Sequence, residues 1–319
     1  MTEFWKEIRM AALMGLLLPG FLLWFGTVLL DTRQDVSVPE PTQAQLISMG
    51  PEILVRTGDA LEYKALEDYL TGVVLAEMPA SFEMEALKAQ AVVARTYTMR
   101  ANETGGKHGD GSICTDYACC QAYIAPDEYL VQGGTKENVD KIREAVTSTL
   151  GRVLTYQGEL IEATYFSCSG GSTEDAAAVW GTEYPYLQAV ESPGEENAAY
   201  FTDSATFTPE QFRNALGESM EGPPDTWFGE VTYTDGGGVD TMVIGDKTYR
   251  GTELRTLLSL RSTAFSVTVG EEIIISTRGF GHRVGMSQYG ADAMAVAGKS
   301  FEEILAHYYP GTVLSGLEN

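Results

Sequence analysis

From Met10 to Leu30 the chain runs for 21 residues without a charge, MAALMGLLLPGFLLWFGTVLL. As a helix rising 1.5 Å per residue, it extends about 31 Å, the thickness of a bilayer's hydrocarbon core. Lys6 and Arg9 stand before it beside Glu3 and Glu7, and a count of Lys and Arg alone sets the N-terminus in the cytoplasm. No A-x-A cleavage site follows Leu30, so the run reads as an uncut signal anchor. The expected organisation is a short cytoplasmic segment over 1–9, a transmembrane helix over 10–30, a tether over 31–50 and a folded part over 51–316, with everything after Asp31 beyond the cytoplasmic membrane. Pro39, Pro41 and Thr42 among scattered Gln and Ser give the tether its composition.

The charge balance restricts what the folded part can bind. Lys plus Arg is 21 and Asp plus Glu is 45, a net charge of −24. Nucleic acid needs a basic face, and anionic lipid repels an acidic one, so neither suits as a partner. A neutral or weakly charged polymer such as a glycan remains. Hydrophobic residues at 44% and charged residues at 21% are an ordinary globular balance, which excludes global disorder. Four cysteines are too few for a disulfide scaffold.

Local patterns predict a mixed chain. A strand is expected at Ile53–Val55, and helices at Leu66–Ala76, Phe82–Ala101 and Val139–Leu150. Residues 102–122 read as a Gly- and Cys-rich loop. Arg152–Tyr156 and Leu160–Tyr165 read as a hairpin about Gln157-Gly158, and Thr208-Pro209 opens a helix through Leu216. Further strands are expected at Val231–Thr234, Thr241–Ile244, Ser266–Val269 and Ile273–Ser276. Ser300 with Glu303 forms a capping box for a last helix that stops before Pro310-Gly311. Without regular β-α alternation the class is α+β, in one elongated domain.

The apolar stripe of the first helix is Leu66, Leu70 and Val73, and the next position on it, 77, is a glutamate. Pro79 ends the helix near Met78, so Glu77 faces the protein at the negative end of a helix dipole. Desolvation and dipole both favour the protonated form, as a general acid requires. Pairing with Lys88 or Arg95 would instead make it a structural glutamate. On the following helix Lys88, Gln90 and Arg95 are candidates to bind a sugar or to position Glu77, with a solvated or salt-bridged face as the alternative.

Three more clusters carry chemistry. KHGDGSICTDYACCQAY places His108, Cys114, Cys119 and Cys120 together. Three thiols and an imidazole complete a tetrahedral zinc set with no open position, which makes one structural zinc per chain the expectation. A disulfide from Cys114 to Cys119 or Cys120 is the alternative. In YFSCSGGSTEDAAAVWG, the groups Ser167, Ser169, Gly170 and Gly171 could approach a ligand through backbone N–H groups. Cys168 with His282 suggests a cysteine nucleophile, but no third, orienting group is evident. In RGFGHRVGMSQYGA, the side chains of His282, Ser287, Gln288 and Tyr289 are of the kind that bind sugars, and Ser287 does not sit in a G-x-S-x-G elbow. His307, on the last helix, reads as packing or surface.

Taken together, YLTGVVLAEMPASFEMEALKAQAVVARTY (69–97), YFSCSGGSTEDAAAVWGTEYPYL (165–187) and GFGHRVGMSQYGADAMAVAGKSFEEILAHYYPGT (279–312) resemble the stage II sporulation protein D family. The resemblance implies a membrane-anchored lytic transglycosylase that cleaves peptidoglycan during forespore engulfment, in the space between mother cell and forespore membranes. It implies Glu77, in the E-M-P motif, as the catalytic acid. It also implies the zinc loop of the clostridial branch, whose ligands are His, Cys, His and Cys, with Cys119 here in place of a histidine. The family's partners would be the wall amidase stage II sporulation protein P and the membrane protein stage II sporulation protein M.

A glycoside hydrolase usually uses two carboxylates, and one has a persuasive setting here. A transglycosylase can work with one: it protonates the leaving oxygen, then takes the proton of the C6 hydroxyl as the 1,6-anhydro ring closes. An acidic protein suits glycan strands whose stem peptides have been removed. The competing readings are a non-enzymatic wall-binding amidase enhancer and a muramidase that uses water.

Overall fold

The computed structural model describes residues 50–317, so the expected anchor over 10–30, and the cytoplasmic segment and tether flanking it apart from residue 50, lie outside the described residues. Among the described residues no helix is long and apolar enough to cross a membrane. The class is α+β, as expected.

The chain enters through β1 (Glu52–Thr57), which turns back antiparallel as β2 (Ala60–Ala65) and accepts β3 (Ile113–Cys114) in parallel on its other edge. α1 (Leu66–Glu77) follows β2 directly, and α2 (Met84–Thr104) is the central helix. Ala86, Ala89, Ala91 and Ala94 of α2 are all fully buried. Such small side chains let α1 pack closely on α2. So do α4 (Lys136–Ser148) and the two last helices, with the short α3 (Pro126–Val131) beside α1. β4 (Arg152–Tyr156) and β5 (Glu159–Leu160) form the expected hairpin. Its second strand stops early, because β6 (Tyr165–Phe166) pairs in parallel with a distant segment, β13 (Met286–Ser287). After β6 comes the one-turn helix α5 (Ala176–Trp180).

Residues 202–278, between β6 and β13, build a second hydrophobic cluster. β7 (Thr202–Phe207) leads to α6 (Pro209–Leu216), and then to a meander of β8 (Phe228–Tyr233), β9 (Val239–Ile244) and β10 (Lys247–Arg250). α7 (Gly251–Leu257) precedes the hairpin β11 (Phe265–Val269) and β12 (Ile273–Arg278), and β7 pairs with β12. Along β12 the residues Ile273, Ile275 and Thr277 are buried while Ile274, Ser276 and Arg278 are exposed, the period of two of a strand with one wet face. Phe212, Trp227, Tyr249 and Leu254 close this core. One expected domain therefore holds two cores.

The chain then returns to the first core through α8 (Gln288–Val296), α9 (Phe301–Tyr308) and β14 (Val313–Gly316), which pairs with β4. The capping box of Ser300 and Glu303 opens α9 as expected. α8 was not among the expected helices, and Ser287 serves as its N-cap, accepting from the Gly290 N–H.

Candidate functional site

Leu66, Leu70 and Val73 are fully buried, and Glu77, next on their stripe, is half-buried at the edge of a cleft of about 830 Å³. Met78 leaves the helical region, with φ −126° and ψ 140°, ahead of Pro79. Neither suggested cation reaches Glu77. Lys88 pairs with Glu85. Arg95 is fully buried against Glu67, and its remaining donors go to Thr149 Oγ1 and to the carbonyls of Val146 and Arg152.

Three neutral groups hold the carboxylate instead. The Ala122 N–H donates to Glu77 Oε1 at 2.8 Å, and Gln288 Nε2 donates to Oε2 at 3.3 Å. The Tyr165 hydroxyl lies 3.3 Å from Glu77 Oε1 and 3.0 Å from Gln121 Oε1. It has one proton for two acceptors. When Glu77 is protonated, the Tyr165 proton can turn to Gln121 and its oxygen can accept from the acid, so Tyr165 serves both states. Gln121 Nε2 donates to Thr98 Oγ1 at 2.9 Å, which fixes the amide with its oxygen toward Tyr165. Burial raises the Glu77 pKa above its ordinary value, against the opposing pull of the Ala122, Gln288 and Tyr165 hydrogen bonds. Burial also drives Tyr165 well above the ordinary tyrosine value, with Glu77 adding to it, so the hydroxyl keeps its proton.

Ala122 reaches Glu77 because its segment lies directly on α1. A Cβ on Gly72 would stand 2.3 Å from the Tyr123 ring and 2.7 Å from the Ile124 carbonyl. Only a glycine admits that approach. The Ile124 N–H donates to the Gly72 carbonyl.

Just upstream of Ala122, the ligand atoms of His108, Cys114, Cys119 and Cys120 lie within 4.8 Å of one another. His108 Nε2 is 3.6 Å from Cys120 Sγ and 3.8 Å from Cys119 Sγ, and the two sulfurs are 3.9 Å apart. Tetrahedral zinc with bonds of about 2.0–2.3 Å has donor–donor edges of about 3.5–3.8 Å, so the set fits that ion. All four cysteines are free thiols, and no disulfide joins Cys114 to its neighbours. Burial and the neighbouring thiols push Cys120 up to about 12, against a backbone hydrogen bond. Three thiols this close resist ionising together unless a cation joins them.

Of the groups expected to bind substrate, Ser167, His282 and Gln288 line the cleft with Glu77. The others do not. Lys88, with its ammonium 6.0 Å from the Phe301 ring, and Arg95 belong to packing on α2. Gln90 is fully buried with neither amide atom hydrogen-bonded among the described residues. Ser169 and Gly170 turn their donors inward: Ser169 N–H and Oγ and Gly170 N–H all bond Glu195 Oε2, at 2.7, 2.9 and 3.1 Å. The Gly171 N–H bonds Ser169 Oγ. Ser287 is fully buried as a helix cap, and Tyr289 sets its ring edge-on to Phe82 at 5.0 Å.

Cys168 is fully buried with its sulfur 3.1 Å from Glu195 Oε2, and burial and that carboxylate push its thiol up to about 12, which ends the nucleophile reading. His282 Nδ1 accepts from the Val284 N–H, and burial and then the Arg255 cation push it down to about 4, so it stays neutral.

The cleft also holds Arg255 and Glu162, which lie in no quoted motif, and Trp180 and Tyr184, which stand in the 165–187 block but were not singled out. Glu162 is bound to Arg100 at 3.0 Å, which leaves Glu77 as the carboxylate of the cleft without a cation. Tyr165 stood inside a quoted motif, whereas the Ala122 donor is backbone and has no side-chain signature.

Residues 57–156 match the family model described as Stage II sporulation protein. The chain is 42% identical over 262 residues to Stage II sporulation protein D of Bacillus subtilis (strain 168), covering 80% of this chain and 76% of that protein. It is 41% identical over 291 residues to Stage II sporulation protein D of Bacillus amyloliquefaciens, covering 89% and 83%. It is also 32% identical over 307 residues to the Amidase enhancer of Bacillus subtilis (strain 168), covering 77% of this chain and 40% of that protein.

Proposed function

Since the chain belongs to the stage II sporulation protein D family, we propose that it is a membrane-anchored lytic transglycosylase acting in sporulation. It cleaves the bond between N-acetylmuramic acid and N-acetylglucosamine in peptidoglycan and leaves 1,6-anhydro ends. Its place is the membrane facing the space between mother cell and forespore, with residues 51–316 as the cleaving domain. The observation that carries the reading is Glu77: a half-buried carboxyl on a cleft wall, held by neutral donors, with its pKa raised by burial.

Glu77 in its acid form protonates the oxygen that leaves on N-acetylglucosamine. The resulting carboxylate takes the C6 hydroxyl proton as that oxygen closes on the anomeric carbon. Gln288 and the Ala122 N–H hold the carboxylate through both steps, and the Tyr165 O–H, keeping its proton, turns between Glu77 and Gln121 as the charge changes. Glu162, tied to Arg100, is poorly suited to activate a water. Loss of strand cleavage in Glu77→Gln is the expected outcome, and unchanged cleavage would overturn the assignment.

His108, Cys114, Cys119 and Cys120 would hold one structural zinc per chain, which when bound cross-links the loop that carries the Ala122 N–H. Elemental analysis is expected to give about one zinc per chain. Absence of metal together with a mapped disulfide would contradict it. Stage II sporulation proteins P and M remain the proposed partners, the first as the amidase that strips the strands.

The likeness to an amidase enhancer favours a second reading, a wall-binding protein that stimulates an amidase without cutting glycan itself. A pure binder has no use for a raised carboxyl on a cleft wall, and cleavage by the purified protein separates the two.

A further inference from the structure

In a chain of net charge −24, an unmatched cation inside a cleft is out of keeping with its surroundings. Arg255, on α7 of the second core, is half-buried and lines the same cleft as Glu77, Trp180 and His282. Among the described residues, every other arginine that is not exposed has a partner. Six of them meet a carboxylate, as Arg95 meets Glu67 and Arg283 meets Glu174. Arg213 bonds the Met220 carbonyl and stacks on Trp227. Arg255 has neither an ion pair nor a side-chain hydrogen bond among the described residues. Lys107, the other cation of the cleft, donates to the Cys119 carbonyl.

A guanidinium half out of water and unpaired has lost hydration without replacement. Its planar fork matches a carboxylate or phosphate. N-acetylglucosamine carries no charge. N-acetylmuramic acid carries a 3-O-lactyl group whose carboxyl is blocked as an amide while a stem peptide is attached. Hydrolysis of that amide adds water across the bond and leaves a free carboxylate on the sugar. Trp180, 41% exposed on the same cleft, offers a face on which a sugar ring can stack.

We propose that Arg255 binds the free lactyl carboxylate of a strand whose stem peptide has been removed, so that the second core reads whether an amidase has acted. The inference rests on the glycan substrate proposed above and not on the mode of cleavage.

The test is equilibrium binding of the full chain carrying Glu77→Gln, which leaves strands intact. The probes are peptide-free glycan strands with free lactyl carboxylates, and the same strands with those carboxylates converted to neutral methylamides. Arg255 is expected to make the free-acid strands bind about ten- to a hundredfold tighter than the amidated ones. Adding Arg255→Gln should bring both strands to the weaker affinity, with Arg255→Lys restoring part of the preference because it keeps the charge and loses the fork. A free-acid preference that survives Arg255→Gln, or equal binding of both strands by the Arg255 protein, would overturn this subsite alone. Binding that is indifferent to amidation yet falls with Arg255→Gln would assign the arginine to a neutral group of the sugars, such as an N-acetyl carbonyl, and overturn the lactyl assignment. Binding to neither strand would overturn the subsite and the glycan substrate together. Carboxylate preference without cleavage by the parent protein would leave the subsite standing and remove the transglycosylase.

Discussion

Glu77 and Glu195 are both taken out of bulk water, and each ends beside a segment that the sequence marks with small and polar residues. Glu195 is 1% exposed and receives five donors: Cys168 Sγ, Ser169 N–H and Oγ, Gly170 N–H and Ser192 Oγ. Glu77 receives three, and its side chain opens on the cleft. A carboxylate wrapped in donors is a tie between chain segments: Glu195 binds the 168–170 turn to the 192–195 loop, and through Ser192 reaches Tyr308 of α9. A carboxylate with few donors and an open side keeps a proton to give. Burial is common to the two, and the supply of donors separates them.

The largest expected effect separates chemistry from architecture. Glu77→Gln should lower strand cleavage by about a thousandfold or more while the protein stays folded. Glu195→Gln should do the reverse: it turns an amide N–H₂ toward donors, costing about 3 kcal/mol of stability in denaturant titration, with cleavage per folded molecule unchanged. Equal stability in the two variants would erase the contrast.

A smaller effect follows from protonation. The folded protein holds the Glu77 pKa above its ordinary value of 4.5. The group therefore contributes stability that is fully present below that ordinary value and lost as pH rises through the folded pKa. At neutral pH Glu77→Gln is expected to be more stable than the parent, and the gap should close as pH falls toward 4.5. A gap that widens on acidification would show that the carboxylate is stabilised here.

The smallest effect concerns Tyr165. Its hydroxyl stabilises the Glu77 carboxylate, so Tyr165→Phe should raise the acid's pKa. Because the acid must be protonated to act, the alkaline limb of the rate profile should move to higher pH. A shift to lower pH would mean that Tyr165 supports the protonated form instead.

Glu77 was legible in the sequence because helical period alone sets position 77 on the face of Leu66, Leu70 and Val73. The same reasoning misplaced Ser169, Gly170 and Gly171. A Ser-Gly-Gly turn after a strand offers the same N–H groups whether they face a ligand or the protein's own carboxylate, and the acidic loop at 191–196 gave no sign that Glu195 would fill it. Arg95 was offered as a sugar or Glu77 contact, or as part of a salt-bridged face, and its buried pairing with Glu67 crosses two helices, which a one-helix pattern does not show. The helix α8 over Gln288–Val296 was not anticipated, and Gly290 lies within it. Gly290 is helical for a packing reason: a Cβ there would stand 2.1 Å from the Tyr308 hydroxyl and 2.2 Å from Ser192 Oγ. Thr202–Phe207 pairs with β12 despite a polar sequence, and its second core brought Arg255 to the cleft from a stretch with no motif.

The difference between the two glutamates bears finally on the product. If Glu77 works without a second free carboxylate, the anomeric carbon must be captured by the sugar's own C6 hydroxyl. Peptide-free strands digested by the purified protein in water enriched in heavy oxygen, with their ends weighed by mass spectrometry, decide this directly. The expected result is 1,6-anhydro-N-acetylmuramic acid ends without label. Reducing N-acetylmuramic acid ends that carry heavy oxygen would contradict it and make the protein a hydrolase.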